Sequence, residues 1–323
     1  MSKKRVGVLR GGPSTEYEVS LKTGKSVIDN LLPEKYEVLD ILIDKAGVWH
    51  HQGVPIKPEN LFKKVDVIFN ALHGAYGEDG TVQKLLDYFN IPYTGSTALA
   101  SAVGMNKVLS KKVYKNNKLK TPLHATVSKT DNLKNIAVTL FKTFPMPVVV
   151  KPVDGGSSVG TNIAKTIMEL ESAITDALNY SDTALIEEFI VGKEATCGVV
   201  DNFRNQEVYA LLPNEIRKPT GSDFYDYNAK YVSEEPVVVC PGNFAEAEKK
   251  IIQEMAVNAH KALGLRHYSR SDFIIHPRRG IYILETNTLP GMTSHSHTPQ
   301  SMMAIGCTLP QFLDHLINLA LNK

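Results

Sequence analysis

Short apolar runs alternate with longer amphipathic stretches through about the first hundred residues of the chain. Val6-Gly7-Val8-Leu9 reads as a buried strand. Thr15, with Glu18 three positions on, offers a capping box for a helix reaching about residue 31. Residues 36–43 alternate like a second strand, and 65–72 are almost purely apolar. A helix over 81–89 and a short strand at Ile91-Pro92-Tyr93 follow. This strand–helix–strand rhythm predicts an open parallel sheet with helices on its faces. In such sheets ligands bind beyond the carboxyl ends of strands, where Gly11-Gly12 and His73-Gly74 fall.

From Ser96 the pattern changes. Helical periodicity over 97–116 and 131–143 brackets a strand near Ala125, and Val148-Val149-Val150-Lys151 runs into a glycine-serine loop. Strands near 161–164 and 184–187 flank a helix over 166–178. Then come strands near 194–200 and 206–212, a polar, tyrosine-rich loop at 218–233, and a long helix over 246–263. A hairpin over 269–285 and terminal helices complete the chain. No internal repeat appears.

Composition narrows the class without changing this picture. The 323 residues can hold two or three domains with a sizeable core. The 36 basic and 34 acidic groups are well mixed, so no basic stripe marks a nucleic-acid partner. Three cysteines, Cys197, Cys240 and Cys307, form no CxxC pair, which fits a reducing compartment. The apolar stretch after Met-Ser-Lys-Lys-Arg is too short for a signal-peptide core, and no segment reads as a membrane span. A cytoplasmic protein is expected.

The most informative local geometry lies between Arg270 and Asn287. If Pro277-Arg278-Arg279-Gly280 closes a symmetric hairpin, Asp272 faces Glu285 and Arg270 faces Asn287. Alternation then puts all four side chains on one face. Asp272, Glu285 and Asn287 are hard oxygen ligands suited to Mg²⁺, which keeps waters and leaves room for phosphates. A solvated face with an ordinary arginine–carboxylate pair has the same pattern. The donor-rich loop from Thr286 to Ser296 favours a site. His295 and His297 lack the further ligands that zinc requires.

Lys151-Pro152-Val153-Asp154-Gly155-Gly156-Ser157-Ser158-Val159-Gly160 follows a strand, as a phosphate-cradling loop should. It is no Walker A loop, and Thr23-Gly24-Lys25-Ser26 only imitates the end of one. Gly11-Gly12 lacks the dinucleotide fingerprint, which weakens an oxidoreductase reading. Glu187-Glu188-Phe189-Ile190 and Glu194 could hold adenine and ribose, or simply connect two domains.

In combination these pieces resemble the D-alanine–D-alanine ligase family of ATP-grasp enzymes. The matching motifs are Gly11-Gly12-x-Ser14-x-Glu16-x-Glu18, His73-Gly-x-x-Gly-Glu-Asp-Gly80, Met105-x-Lys107, Lys151-Pro152 and Gly156-Ser157-Ser158-Val159-Gly160. They continue with Glu187-x-Phe189-Ile190, Tyr225-Asp226-Tyr227-x-Ala229-Lys230-Tyr231, Arg270-x-Asp272 and Glu285-x-Asn287-Thr-x-Pro-Gly-Met-Thr-Ser-His-Ser296. Their order over 11–296 is more specific than any one of them. Asn106 stands where the family usually has Asp, and Ser271 where it has an aliphatic residue.

The resemblance implies an α/β chain in three parts: a Rossmann-like parallel-sheet domain (1–96), then central (97–188) and C-terminal (189–323) ATP-grasp subdomains clasping ATP. It implies that D-alanine attacks the γ-phosphate of ATP, and that the amine of a second D-alanine captures the D-alanyl phosphate. The dipeptide would supply peptidoglycan precursors. Two Mg²⁺ ions, with Mn²⁺ as a substitute, would sit on Asp272, Glu285 and Asn287. Lys107, Lys151 and Lys230 would hold phosphates, and Arg270 with the Gly291 N–H an oxyanion. Glu16 would bind the first substrate's ammonium and form a closing network with Ser157 and Tyr231, while Ser296 would take the second carboxylate. Tyr231 favours the dipeptide over D-alanyl-D-lactate, and a homodimer is expected. The alternatives are a D-lactate or D-serine ligase of the same family, and an ATP-binding regulatory protein without turnover.

Overall fold

A computed structural model describes residues 3–156, 159–217 and 237–322. Its first part builds β1 (Lys4–Gly11), α1 (Tyr17–Asn30), β2 (Tyr36–Ile43), β3 (Trp49–His51), β4 (Val54–Pro55), α2 (Pro58–Phe62), β5 (Val67–Asn70) and α3 (Thr81–Tyr88). The sheet order is β4-β3-β2-β1-β5, with β1 parallel to both β2 and β5. The β3–β4 hairpin extends the expected parallel sheet in the antiparallel sense.

The capping box expected at Thr15 and Glu18 does not form. Gly11 and Gly12 turn with φ of 89° and 97°, and the helix starts only at Tyr17, after Glu16. Ser14 Oγ accepts the Glu16 N–H at 3.0 Å instead. A side chain at Gly11 would run into the Ile43 carbonyl, so this tight turn needs glycine.

The single helix expected over 97–116 is two, α4 (Ala98–Met105) and α5 (Lys107–Asn116). Asn106 breaks them and caps α5, its Oδ1 accepting the N–H groups of Val108 and Leu109 at 3.1 and 3.0 Å. Then β6 (His124–Ser128), α6 (Leu133–Thr143), β7 (Val148–Pro152), β8 (Asn162–Ala164), α7 (Ile167–Ala177) and β9 (Thr183–Glu188) form a four-stranded antiparallel sheet, β6-β9-β7-β8. Helices α6 and α7 cover one face and bury Ala137, Leu170 and Ile174 against Val148, Val150 and Ile186.

The last part comprises β10 (Lys193–Phe203), β11 (Gln206–Ala210), β12 (Asn214–Arg217), β13 (Val237–Val239), α8 (Glu246–Ala262), β14 (Tyr268–His276), β15 (Gly280–Asn287), α9 (His297–Ala304) and α10 (Leu309–Leu321). Its six-stranded sheet runs β13-β12-β10-β14-β15, with β11 on β10. Helix α8 and, from earlier in the chain, α4 and α5 share its core, where Ala100 and Tyr114 meet Ile252, Phe273 and Ile283. Helix α10 packs instead on the N-terminal sheet, Phe312, Leu313, Leu316 and Ile317 joining Val6, Val8 and Phe69. Burying each of these side chains is worth about 1.5–3 kcal/mol before entropy is counted. Among the described residues no helix is long and apolar enough to cross a membrane.

Candidate active site

The six-stranded sheet supplies one wall of a cleft through β14 and β15. Arg270 pairs with Asn287 and Asp272 with Glu285, as the sequence pattern predicts. The turn differs from expectation: the strands pair down to His276 and Gly280, so the loop has three residues, and the register shifts by one just beyond Asp272. Gly280, the first residue of β15, has φ of 81°, a left-handed conformation that glycine adopts without a Cβ penalty. The extra residue of the bulge, Leu284, also lines the cleft beside Glu285.

Arg270 donates to both oxygens of Asp272, at 3.0 and 2.9 Å, and Thr196 Oγ1 donates to Oδ1 at 2.6 Å. Burial pushes the Asp272 carboxyl up, but Arg270 and Thr196 outweigh it and hold it below the usual carboxylate range. These bonds use three of the carboxylate's roughly four acceptor positions, leaving capacity for a cation. The Asn287 Oδ1 accepts the Leu289 N–H at 2.8 Å and has a second lone pair. The donor set of Asp272, Glu285 and Asn287 therefore suits a hard cation that keeps its own waters. Among the described residues no cluster of three or more His, Cys, Asp or Glu side chains could hold a metal ion. Ser271, where an aliphatic residue is usual, turns to the opposite face, 2.8 Å from Thr286 Oγ1, which also accepts from the Tyr114 hydroxyl at 2.8 Å.

The four-stranded sheet forms the facing wall. Lys107, Lys151, Glu187, Glu188, Phe189 and Ile190 line the same cleft as Asp272 and Glu285, with Glu194 at the start of β10. Lys151 Nζ lies 2.7 Å from Glu187 Oε2, and Lys111 Nζ contacts Oε1. Burial would raise the Glu187 carboxyl, but the two ammonium groups win and hold it at about 2. Lys107 Nζ donates to the Gly155 carbonyl at 2.6 Å, and burial pushes its ammonium below the usual lysine range. Glu188 turns away to Arg279 at 2.5 Å.

The third side comes from the N-terminal sheet. The Glu16 carboxylate meets the glycine-serine loop: a Cβ on Gly156 would sit 2.7 Å from Glu16 Oε2, and one on Gly74 2.8 Å from it. Thr23 Oγ1 lies 2.8 Å from His73 Nε2, and His73 Nδ1 3.5 Å from Glu78. A Cβ on Gly291 would approach Ser296 Oγ to 2.8 Å and Thr23 Oγ1 to 3.8 Å. Ser296 Oγ in turn accepts the Thr293 N–H at 3.1 Å. Residues from opposite ends of the chain thus meet beyond the carboxyl ends of β1 and β5, as open-sheet logic requires.

Of the residues expected from sequence, Ser157, Lys230 and Tyr231, with the loop at 218–233, lie outside the described residues. Of the others, Lys107, Lys151, Glu187, Glu188, Phe189, Ile190, Glu194, Asp272 and Glu285 line one cleft, Arg270 and Asn287 pair on its hairpin, Glu16 meets the glycine-serine loop, and Gly291 and Ser296 meet Thr23. Sequence reasoning missed Lys111 and Thr196, and weighed His297 only as a zinc ligand. Lys111 is one turn after Lys107 on the same helix face, a signal that spacing could have provided. His297 is pushed down to about 4, mainly by burial and then by Arg270, so it is neutral at pH 7.

Comparison with known proteins converges on one family. The family described as D-ala D-ala ligase C-terminus matches residues 113–318, and D-ala D-ala ligase N-terminus matches 5–60 and 50–96. A D-alanine–D-alanine ligase from Clostridium beijerinckii is 40% identical over 316 residues, 97% of each chain. One from Pelotomaculum thermopropionicum is 37% identical over 323 residues, 99% of this chain and 97% of its own. The VanG D-Ala:D-Ser ligase from Enterococcus faecalis superposes with a TM-score of 0.88 at 32% identity, covering 99% of this chain and 100% of its own. A Bacillus anthracis D-alanine–D-alanine ligase solved with ATP gives 0.81 at 30%, covering 99% and 98%. The chain belongs to the D-alanine–D-alanine ligase family.

Proposed function

We propose that the protein joins two D-alanine molecules at the expense of ATP, through a D-alanyl phosphate, to supply peptidoglycan precursors. The observation that carries the proposal is a single cleft that faces buried lysines on one wall with Asp272 and Glu285 on the other. Full-length similarity to ligases of this name supports it.

In this reading the backbone of Glu187, Glu188, Phe189 and Ile190 holds adenine, Glu194 reaches the ribose, and Lys107 and Lys151 hold phosphates, with Lys230. Asp272, Glu285 and Asn287 would hold Mg²⁺, which would supply charge neutralisation to the phosphoryl transfer. Glu16 orients the ammonium of the first D-alanine, so that its carboxylate attacks the γ-phosphorus in line, the bond to the β–γ bridging oxygen breaks and ADP leaves. Ser296 holds the second carboxylate and directs its amine at the acyl phosphate carbonyl. Arg270, fixed by Asp272, and the Gly291 N–H stabilise the oxyanion that forms, and phosphate leaves. Ser157 and Tyr231 would close the site with Glu16, since an acyl phosphate open to water hydrolyses unproductively.

With purified protein, ATP and Mg²⁺, phosphate release is expected to depend on D-alanine and to match dipeptide formed, as read by mass spectrometry. ADP appearing without dipeptide would sink the reading. The similarity to a D-Ala:D-Ser ligase makes D-serine the acceptor to compete against D-alanine. A homodimer, which family membership supports, is checked by light scattering.

A further inference from the structure

Lys111 is a buried charge for which the reaction scheme provides no task. It sits on α5, which packs against the six-stranded sheet: its neighbour Tyr114 donates to Thr286 of β15. From that side Lys111 crosses to the opposite wall. Its side chain is fully buried, its ammonium donates to Thr121 Oγ1 at 2.7 Å, and it contacts Glu187 Oε1. The other Glu187 oxygen takes Lys151 Nζ at 2.7 Å. One carboxylate is therefore shared by two ammonium groups from different elements.

Desolvating an ammonium is costly, and an apolar side chain of similar length would bury at this place without that cost. What the arrangement supplies is a charge ratio. Two lysines on one glutamate leave the set one positive charge, directed at a cleft that must hold a polyanion. With Lys111 removed, Glu187 would belong to Lys151 alone and cancel it.

We propose that Lys111 is a positioning residue for the nucleotide: it occupies one oxygen of Glu187, so that the Lys111–Glu187–Lys151 set keeps one positive charge facing the triphosphate. This rests on the reading of the cleft as the ATP site. The low Glu187 carboxyl, a full anion at neutral pH, agrees with the shared arrangement.

The test is Lys111→Met, which keeps the length and removes the charge. It is expected to raise KM for ATP by about ten- to a hundred-fold, the scale of losing one charged contact, and to leave KM for D-alanine at the wild-type value. The double variant Lys111→Met/Glu187→Gln removes one charge of each sign, restores the set's single positive charge, and is expected to recover part of that loss. A merely structural lysine would lower the melting temperature, shift both KM values together, and give a double variant worse than either single one. Either that pattern or an unchanged KM for ATP overturns the proposal. Should Lys111→Met not fold, Thr121→Val removes the outer hydrogen bond, and a smaller rise confined to ATP is expected. Direct calorimetric titration with ATP on the same variants reads the effect without turnover. A wild type that binds ATP but makes no dipeptide would count against the ligase reading, not against Lys111.

Discussion

The two walls of the cleft meet the same ligand with opposite charge. On the four-stranded wall Lys151 and Glu187, with Lys111 behind them, carry one net positive charge. On the six-stranded wall Arg270, Asp272 and Glu285 carry one net negative charge. The first can meet phosphate oxygens directly through an ammonium. The second repels them unless a cation stands between. The difference explains why the acids of one wall call for a cation while Glu187, on the other, already has an ammonium beside each oxygen.

The sharpest way to break the comparison is to remove the negative wall. Asp272→Asn keeps the shape and accepting oxygen but loses the charge that holds a cation and fixes Arg270. Turnover is expected to fall by about a hundred- to a thousand-fold, the scale of losing a preorganised charge in a desolvated site. The melting temperature should drop by only about 2–8 °C, as for an unbalanced partly buried pair in a chain of this size. Excess EDTA should abolish turnover in the wild type and change little in the variant. Equal losses of activity and stability would make Asp272 structural.

A second variant separates the acceptor end from both walls. Ser296 lies beside Gly291 and Thr23, away from Lys151 and Glu187. Ser296→Ala is expected to raise KM for D-alanine by about ten-fold, one charge-assisted hydrogen bond, with KM for ATP unchanged. That is the mirror image of Lys111→Met. A shift in both constants would mean that the two ends are coupled.

The walls should also fail in different pH windows. His297 beside Arg270 falls from an ordinary 6.5 to about 4, so the unfolded chain takes its proton first. Its contribution is complete above pH 6.5 and lost as pH falls to 4. Glu187 on the other wall falls from 4.5 to about 2, so its contribution is lost only between those values. Urea midpoints of His297→Gln should therefore show a flatter acid limb between pH 6.5 and 4, by up to about 3 kcal/mol. Parallel limbs in variant and wild type would refute the assignment to His297.

How much of this was legible beforehand differs between the same walls. The acids of the negative wall were readable because strand alternation is local: Arg270, Asp272, Glu285 and Asn287 share a face whatever surrounds them. The shorter loop and the register shift compensate, and only the turn residues were misplaced. The positive wall depends on a helix that folds onto one sheet and reaches the other, which no local period encodes. Strands β12 and β13 were unreadable for a related reason, being short edge segments whose pairing is fixed by β10. The Thr15 capping box failed because the glycine turn sets where the chain can become helical.

The smallest expected effect concerns Asn106, at the bend that aims Lys107 and Lys111 at the cleft. Its Oδ1 caps α5, a task that aspartate performs equally well. Its Nδ2, however, donates to Asp154 Oδ1 at 3.1 Å, and Asp154 sits at the start of the glycine-serine loop. Asn106→Asp keeps the cap, loses that donor and sets two carboxylates face to face at an exposed site. The expected cost is about 0.5–1 kcal/mol of stability, greatest at low ionic strength and fading as salt screens the pair. A thermal melt in low and high salt reads it. If the variant is more stable than the wild type at low salt, the bond to Asp154 contributes nothing and asparagine is only an alternative cap.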